Sequence, residues 1–125
     1  MKHHKLVLPE FMNEQGVLFG GYLLKWIDEL AYITACLDHP DARFVTIALD
    51  NVTFKKPIHT GDILCFDVSQ CKRGQSSVEY MIKVYNDRAP KKIRGVLLFE
   101  TKIVFVNVDL SGKPQVIVDK KQETS

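Results

Sequence analysis

The sequence predicts an α+β fold in which a curved antiparallel sheet of five to six strands wraps around one long central helix. Three observations carry this expectation. A single stretch of helical spacing, from Gly20 to Leu37, is followed by alternating segments with no second helix among them. Short turn-rich stretches separate those segments, as hairpins require. The helix is also the only element available to cover the apolar face of such a sheet. At 125 residues, 46% of them apolar, the chain is expected to form one domain over 1–125 with a core of ordinary size.

The elements follow in order. A short strand is expected at "KLVL", before the helix. In the helix, Leu23, Leu24, Ile27, Leu30, Ala31, Thr34 and Ala35 recur on one face, with Lys25, Glu29 and Cys36 opposite. The helix stops at "DHPDA", where Pro40 cannot continue it. "RFVTIALDNVTF" alternates as a strand, with Val45, Ile47 and Leu49 on one face and Val52 and Phe54 in the opposite phase. That change of phase predicts a bulge near Asp50 and Asn51. "DILCFDVSQC", "SSVEYMIKVYN" and "GVLLFETKIVFVNVD" are the later strands, set apart by "PIHTGD", "KRGQ" and, at the end, "LSGK". "QETS" reads as a loose tail. The late strands are apolar on both phases, from Val96 to Phe99 and from Ile103 to Val106. One face of a small sheet cannot hide them all, so a second subunit is expected to cover the remainder.

Composition narrows the function classes. A formal charge of +2 argues against a protein held to nucleic acid through many phosphate contacts. No apolar run approaches the ~18 residues of a membrane span, and "MKHHKLVLPEF" carries no signal-peptide pattern, so a cytoplasmic location is expected. Cys36, Cys65 and Cys71 are odd in number and lack CxxC spacing, which favours free thiols, two of them buried. His3, His4, His39 and His59 show no zinc-type spacing and read as surface residues, so no metal site is expected.

The stretch "NEQGVLFGGYLLKWIDEL" poses the chemical question. Glycines are poor helix formers, yet Gly20 and Gly21 open the helix. Bare first-turn N–H groups and the positive end of the helix dipole would polarise a carbonyl oxygen that gains charge in a transition state. Asp28 lies beside Leu24, Ala31 and Ala35, at the edge of the apolar arc, where a carboxylate is costly unless paired or used. Taken alone, the pattern also fits a plain helix start and a solvated acid.

The same stretch resembles the signature of the hotdog-fold acyl-coenzyme A thioesterases, of the bacterial YciA-like and cytosolic long-chain acyl-CoA hydrolase type. Asn13, Gly16, Phe19, Gly20, Gly21, Leu24, Trp26 and Asp28 fall on N-x-x-G-x-x-F-G-G-x-x-L-x-W-x-D. "VTIALDNVTFKKPIHTGDIL", with Phe54, Lys56, Pro57, Ile58, Gly61 and Asp62, is similar to the family's second strand and turn. "CKRGQSSVEYMIKV" and "FVNVDLSGKP" are similar to its hairpin and last strand, although Gln75 stands where relatives often carry Arg before the two serines.

The resemblance implies hydrolysis of fatty acyl-coenzyme A to free acid and coenzyme A, without a cofactor. Asp28 would be base or nucleophile, Asn13 would position the water or the carbonyl, and the Gly21 amide, with Gly20, would polarise the thioester oxygen. The resemblance also implies that Asn13 and Asp28 of one site come from different subunits. It points to a homodimer as minimum unit and to a hexamer built as a trimer of dimers. Short basic clusters lie beside turns: Lys55 and Lys56, Lys72 and Arg73, and Lys91, Lys92 and Arg94. Among these residues and the hairpin serines, Arg73, Ser76, Ser77 and Lys56 suit the coenzyme's phosphates. Two other classes remain at this point. A non-catalytic acyl-CoA-binding module would not need both Asn13 and Asp28, and a hotdog dehydratase would need a histidine beside the helix, where Asn13–Leu37 has none.

Overall fold

The computed structural model describes residues 1–50, 52 and 56–118. Strand β1 (Lys2–Leu6) leads through a single 3-10 turn (Pro9–Phe11) to helix α1 (Gly20–Asp38). Strands β2 (Phe44–Leu49), β3 (Ile63–Arg73), β4 (Ser77–Asn86) and β5 (Leu97–Asn107) follow and form one antiparallel sheet in the order β1-β3-β4-β5-β2. The first strand starts earlier than "KLVL" suggests, because Lys2 to Leu6 pair with Asp67 to Ile63.

Register shifts bend the sheet around the helix. An extra residue interrupts the ladder at Ile47 in β2, at Cys71 in β3 and at Leu98 in β5. Each such bulge raises local twist and curvature. The change of phase expected near Asp50 and Asn51 involves residues outside those described; the register shift in β2 is a separate one, at Ile47, and β2 ends at Leu49. Asn51, Phe54 and Lys55 lie outside the described residues, as does the tail.

Helix α1 fills the concave side. Leu23, Trp26, Ile27, Leu30, Ala31, Thr34 and Ala35 are buried there against Leu64, Phe66, Val68, Tyr80, Ile82, Ile103 and Phe105. Each large apolar side chain so buried contributes ~1.5–3 kcal/mol. Trp26 replaces Leu24 in the predicted face: Leu24 is 40% exposed, although its spacing assigns it inward. The far end of the helix is tied to the sheet by polar contacts. The Tyr80 hydroxyl donates to Asp38 Oδ2 at 2.8 Å, and burial, followed by that bond, pushes the phenol's pKa far upward. His39 is buried rather than at the surface, its Nε2 2.9 Å from Gln70 Oε1 and its ring edge-on to Phe44. Of the cysteines only Cys65 is fully buried; Cys36 is half-buried and Cys71 exposed.

Among the described residues nothing pairs with the outer edge of β1 or β2, and β2 is the apolar one. Val45 is 43% and Ile47 59% exposed, and on the neighbouring helix face Tyr32, Ile33 and Leu37 are exposed as well. An apolar, unpaired edge strand is a template for a further strand.

Candidate active site

Asn13, Gly16 and the two glycines are placed by a compact loop before the helix. Asn13 Oδ1 accepts the amides of Gln15 (2.9 Å) and Val17 (3.1 Å), and its carbonyl accepts the Gly16 amide. Gly16 takes φ 75°, a left-handed conformation that a side chain would strain. Two N–H donors on the oxygen leave the Asn13 side-chain NH2 as the group available to a ligand. The loop then returns through Phe19, whose amide donates to the Phe11 carbonyl at 3.0 Å.

At the helix start, Phe19 is the N-cap and supplies no side-chain hydrogen bond. The Tyr22 amide donates to the Phe19 carbonyl, whereas those of Gly20 and Gly21 have no acceptor among the described residues. These amides face outward at the positive end of the dipole. A Cβ placed on Gly21 would meet nothing within 4 Å. Phe19, Gly21, Tyr22 and Lys25 border an open groove of about 320 Å³ there.

Asp28 is half-buried, and Thr46 on β2 donates its hydroxyl to Asp28 Oδ1 at 2.7 Å. Together with Lys25, Glu29, Tyr32, Phe44 and Val45 they line an open cleft of about 440 Å³. Lys25 borders both hollows, so the groove at Gly21 and the cleft at Asp28 lie along one exposed helix face. A hydrogen bond with Cys36 raises the Tyr32 hydroxyl above its usual pKa.

The spacing of these groups restricts what one chain can do. Gly21 and Asp28 lie seven residues apart on a straight helix, a rise of ~10 Å. A thioester carbonyl has to sit ~3 Å from both its polarising amide and its attacking group. A carbonyl bonded to the Gly21 amide therefore lies beyond direct attack by the Asp28 carboxylate of the same chain. Asn13 does not line the Asp28 cleft either.

The residues expected to hold the coenzyme are divided between the two ends of the molecule. The Arg73–Ser77 hairpin lies at the end of the sheet reached by the helix C-terminus, close to Tyr80 and its partner Asp38. Arg73 Nη2 donates to the Ile117 carbonyl at 3.1 Å, and the Ser76 and Ser77 carbonyls accept the amides of Asn107 and Gly74. Lys56 borders a different hollow of about 230 Å³, together with His59 and Arg88 among others. Sequence reasoning missed Thr46, Tyr32 and Arg88. Thr46 left one signal, a hydroxyl inside the otherwise apolar "FVTIAL".

Comparison with known proteins agrees with this architecture. The Thioesterase superfamily profile matches residues 15–92. An uncharacterized acyl-CoA thioester hydrolase of Bacillus subtilis, YkhA, is 35% identical over 108 residues, covering 86% of this chain and 62% of the relative. The chain thus spans somewhat less than two thirds of that relative's length. Among solved structures, the acyl-CoA hydrolase of Staphylococcus aureus, in complex with butyryl coenzyme A, coenzyme A and coenzyme A disulfide, superposes with TM-score 0.83. Its identity is 33%, over 95% of this chain and 71% of that one. Alanine mutants of that hydrolase at an aspartate, a threonine and an asparagine have also been solved. The hexameric broad-specificity acyl-coenzyme A thioesterase HI0827, as an Asp-to-Ala mutant, superposes with TM-score 0.83 at 27% identity, over 95% of this chain and 86% of that one. The curved sheet around a single helix is the hotdog fold, and the chain belongs to the Thioesterase superfamily.

Proposed function

We propose that this chain, acting as a single domain, hydrolyses the thioester of acyl-coenzyme A to a free acid and coenzyme A. The observation that carries the reading is the Asp28 carboxylate, held by Thr46 and facing an open cleft on the helix surface. Asp28 takes a proton from water as the water oxygen bonds to the thioester carbon. The C–S bond then breaks, and the departing sulfur takes up the proton as the thiol of coenzyme A. Direct attack by the carboxylate, with water cleaving the resulting anhydride, uses the same residue. The Gly21 and Gly20 amides and the Asn13 NH2 stabilise the charge that develops on the carbonyl oxygen.

We infer that each site is composite, in keeping with the ~10 Å rise between Gly21 and Asp28 and with the cleft at Asp28 being lined without Asn13. Asn13 and the glycines come from one subunit and Asp28 with Thr46 from its partner. The mutants of the Staphylococcus aureus hydrolase support these roles, since its substituted asparagine and aspartate are separated as Asn13 and Asp28 are. A two-fold dimer that brings Gly21 of each subunit to Asp28 of the other must run its helices antiparallel, with the axis near Leu24. This accounts for Leu24, an apolar side chain left 40% exposed in the middle of the helix. Exposed Val45 and Ile47 on β2 are then covered as the two sheets join edge to edge. Antiparallel helices also bring the partner's Arg73–Ser77 hairpin to the side where the coenzyme leaves the thioester. We extend the assembly to a hexamer, as in HI0827. We also place the reaction in the cytoplasm, where the exposed Cys71 stays reduced.

Release of free thiol from saturated acyl-coenzyme A substrates of increasing chain length tests the reading. Turnover far above the spontaneous rate is expected for at least part of the series. Tight binding of every substrate with no thiol release would make the chain a binding module instead. Two variants examine the supports of the site. Thr46→Val removes the bond that orients Asp28 and is expected to lower kcat ~10-fold with KM unchanged. Leu24→Glu places like charges at the two-fold and is expected to weaken dimerisation at least ~100-fold, read from the concentration dependence of the mass in solution. A Leu24→Glu protein of unchanged mass would move the axis elsewhere.

A further inference from the structure

The outer face of the sheet, away from helix α1, carries a cluster that thioester hydrolysis does not use. His4 on β1 is the cross-strand partner of Cys65 on β3. Asp87 follows β4 and is fixed there by its amide, which donates to the Ile63 carbonyl at 2.8 Å. His4 Nε2 lies 2.8 Å from Asp87 Oδ2, and one donor atom from each of His4, Cys65 and Asp87 lies within 4.8 Å of the other two. Pleating explains the arrangement. Leu64, Phe66 and Val68 point to the helix, so Cys65 between them points outward. The three residues are far apart in the chain, which is why no spacing in the sequence announces them.

A surface ion pair explains only part of this. An exposed His–Asp contact contributes little to stability and needs no thiol beside it. An imidazole nitrogen, a sulfur and a carboxylate oxygen together are the donor set of a zinc-type ion, whereas calcium and magnesium take oxygens. Tetrahedral zinc, with ligands at ~2.0–2.3 Å, holds its donors ~3.3–3.8 Å apart. The His4–Asp87 separation, at 2.8 Å, is somewhat below that range, and the other two are within 4.8 Å. Adjusting them requires only side-chain rotation of His4 and Asp87, which are half exposed, around a Cys65 that is 4% exposed and fixed.

We propose that His4, Cys65 and Asp87 form a binding site for a zinc-like divalent transition-metal ion, with its fourth position open to solvent. Bound there, the ion joins β1 to β3 and to the end of β4, and it stabilises the N-terminal strand rather than taking part in hydrolysis.

The test uses the full-length chain, without a histidine tag and stripped by chelator, titrated with cobalt(II). One cobalt per chain is expected, with a cysteinate-to-cobalt charge-transfer band and strong tetrahedral d–d absorption, both removed by one equivalent of zinc. Cys65→Ser should abolish the charge-transfer band, whereas Cys36→Ser and Cys71→Ser should leave it. His4→Gln and Asp87→Asn, changes at half-exposed side chains whose folding a thermal melt checks, should each weaken the cobalt affinity at least tenfold. The proposal is overturned if the folded wild-type chain gives no thiolate band. It is equally overturned by a band that survives Cys65→Ser, or by affinity indifferent to both exposed substitutions, since the ion then sits elsewhere.

Discussion

Asp28→Asn is expected to lower kcat by ~10²–10⁴, the range for loss of a positioned base. The substitution isolates charge from geometry. Thr46 donates its hydroxyl to Asp28 Oδ1, and an asparagine keeps an oxygen able to accept that bond. The helix face and the β2 contact therefore persist, while the base or nucleophile is lost. The expected pattern is a collapsed kcat, a KM within a few-fold of wild type and an unchanged or slightly raised melting temperature. Steady-state thiol release and a thermal melt on the same preparation check it. Turnover within a factor of about three of wild type would remove Asp28 from the mechanism.

Asn13→Asp carries the next largest effect. The carboxylate can still accept the Gln15 and Val17 amides, so the loop holds its shape. What disappears is the NH2 donor, and a negative charge now stands where the carbonyl oxygen becomes negative. Removing one such donor costs ~10²–10³ in kcat. Asn13→Ala has to behave differently, because it also deletes two hydrogen bonds that hold the loop, each worth ~1 kcal/mol. The pair of variants is thus expected to separate. Asn13→Asp is inactive with a wild-type melt, and Asn13→Ala is inactive with a lower one. Near-normal kcat/KM in Asn13→Asp would confine Asn13 to shaping the loop.

The sequence is informative where a local rule determines the outcome. Helical spacing and Pro40 locate α1 to within a residue, and turn chemistry separates the strands nearly as well. Where the outcome depends on a distant neighbour, local rules fail. Periodicity assigns Leu24 to an apolar arc without saying which protein surface covers it, and it lies exposed. Alternation reads Val45, Ile47 and Leu49 as one face and gives no sign of the extra residue at Ile47, which falls where β5 makes it fit. His39 looks like a loop residue until Gln70 and Phe44 close over it from other strands. The same limit applies to the site. Asp28, Asn13 and the two glycines are legible from one contiguous stretch, whereas Thr46 becomes visible only once β2 lies beside the helix.

The composite site is tested most directly by mixing two inactive proteins, Asn13→Asp and Asp28→Asn. In a heterodimer, one site receives wild-type Asn13 from the Asp28 variant and wild-type Asp28 from the Asn13 variant, while the other site carries both changes. Random exchange at equal amounts makes half the dimers mixed, so about a quarter of all sites are wild type. Thiol release should rise from near zero toward a quarter of the wild-type rate, in step with exchange followed by native mass spectrometry. Complete exchange with no recovery of activity would contradict the account and assign Asn13 and Asp28 to the same subunit's site.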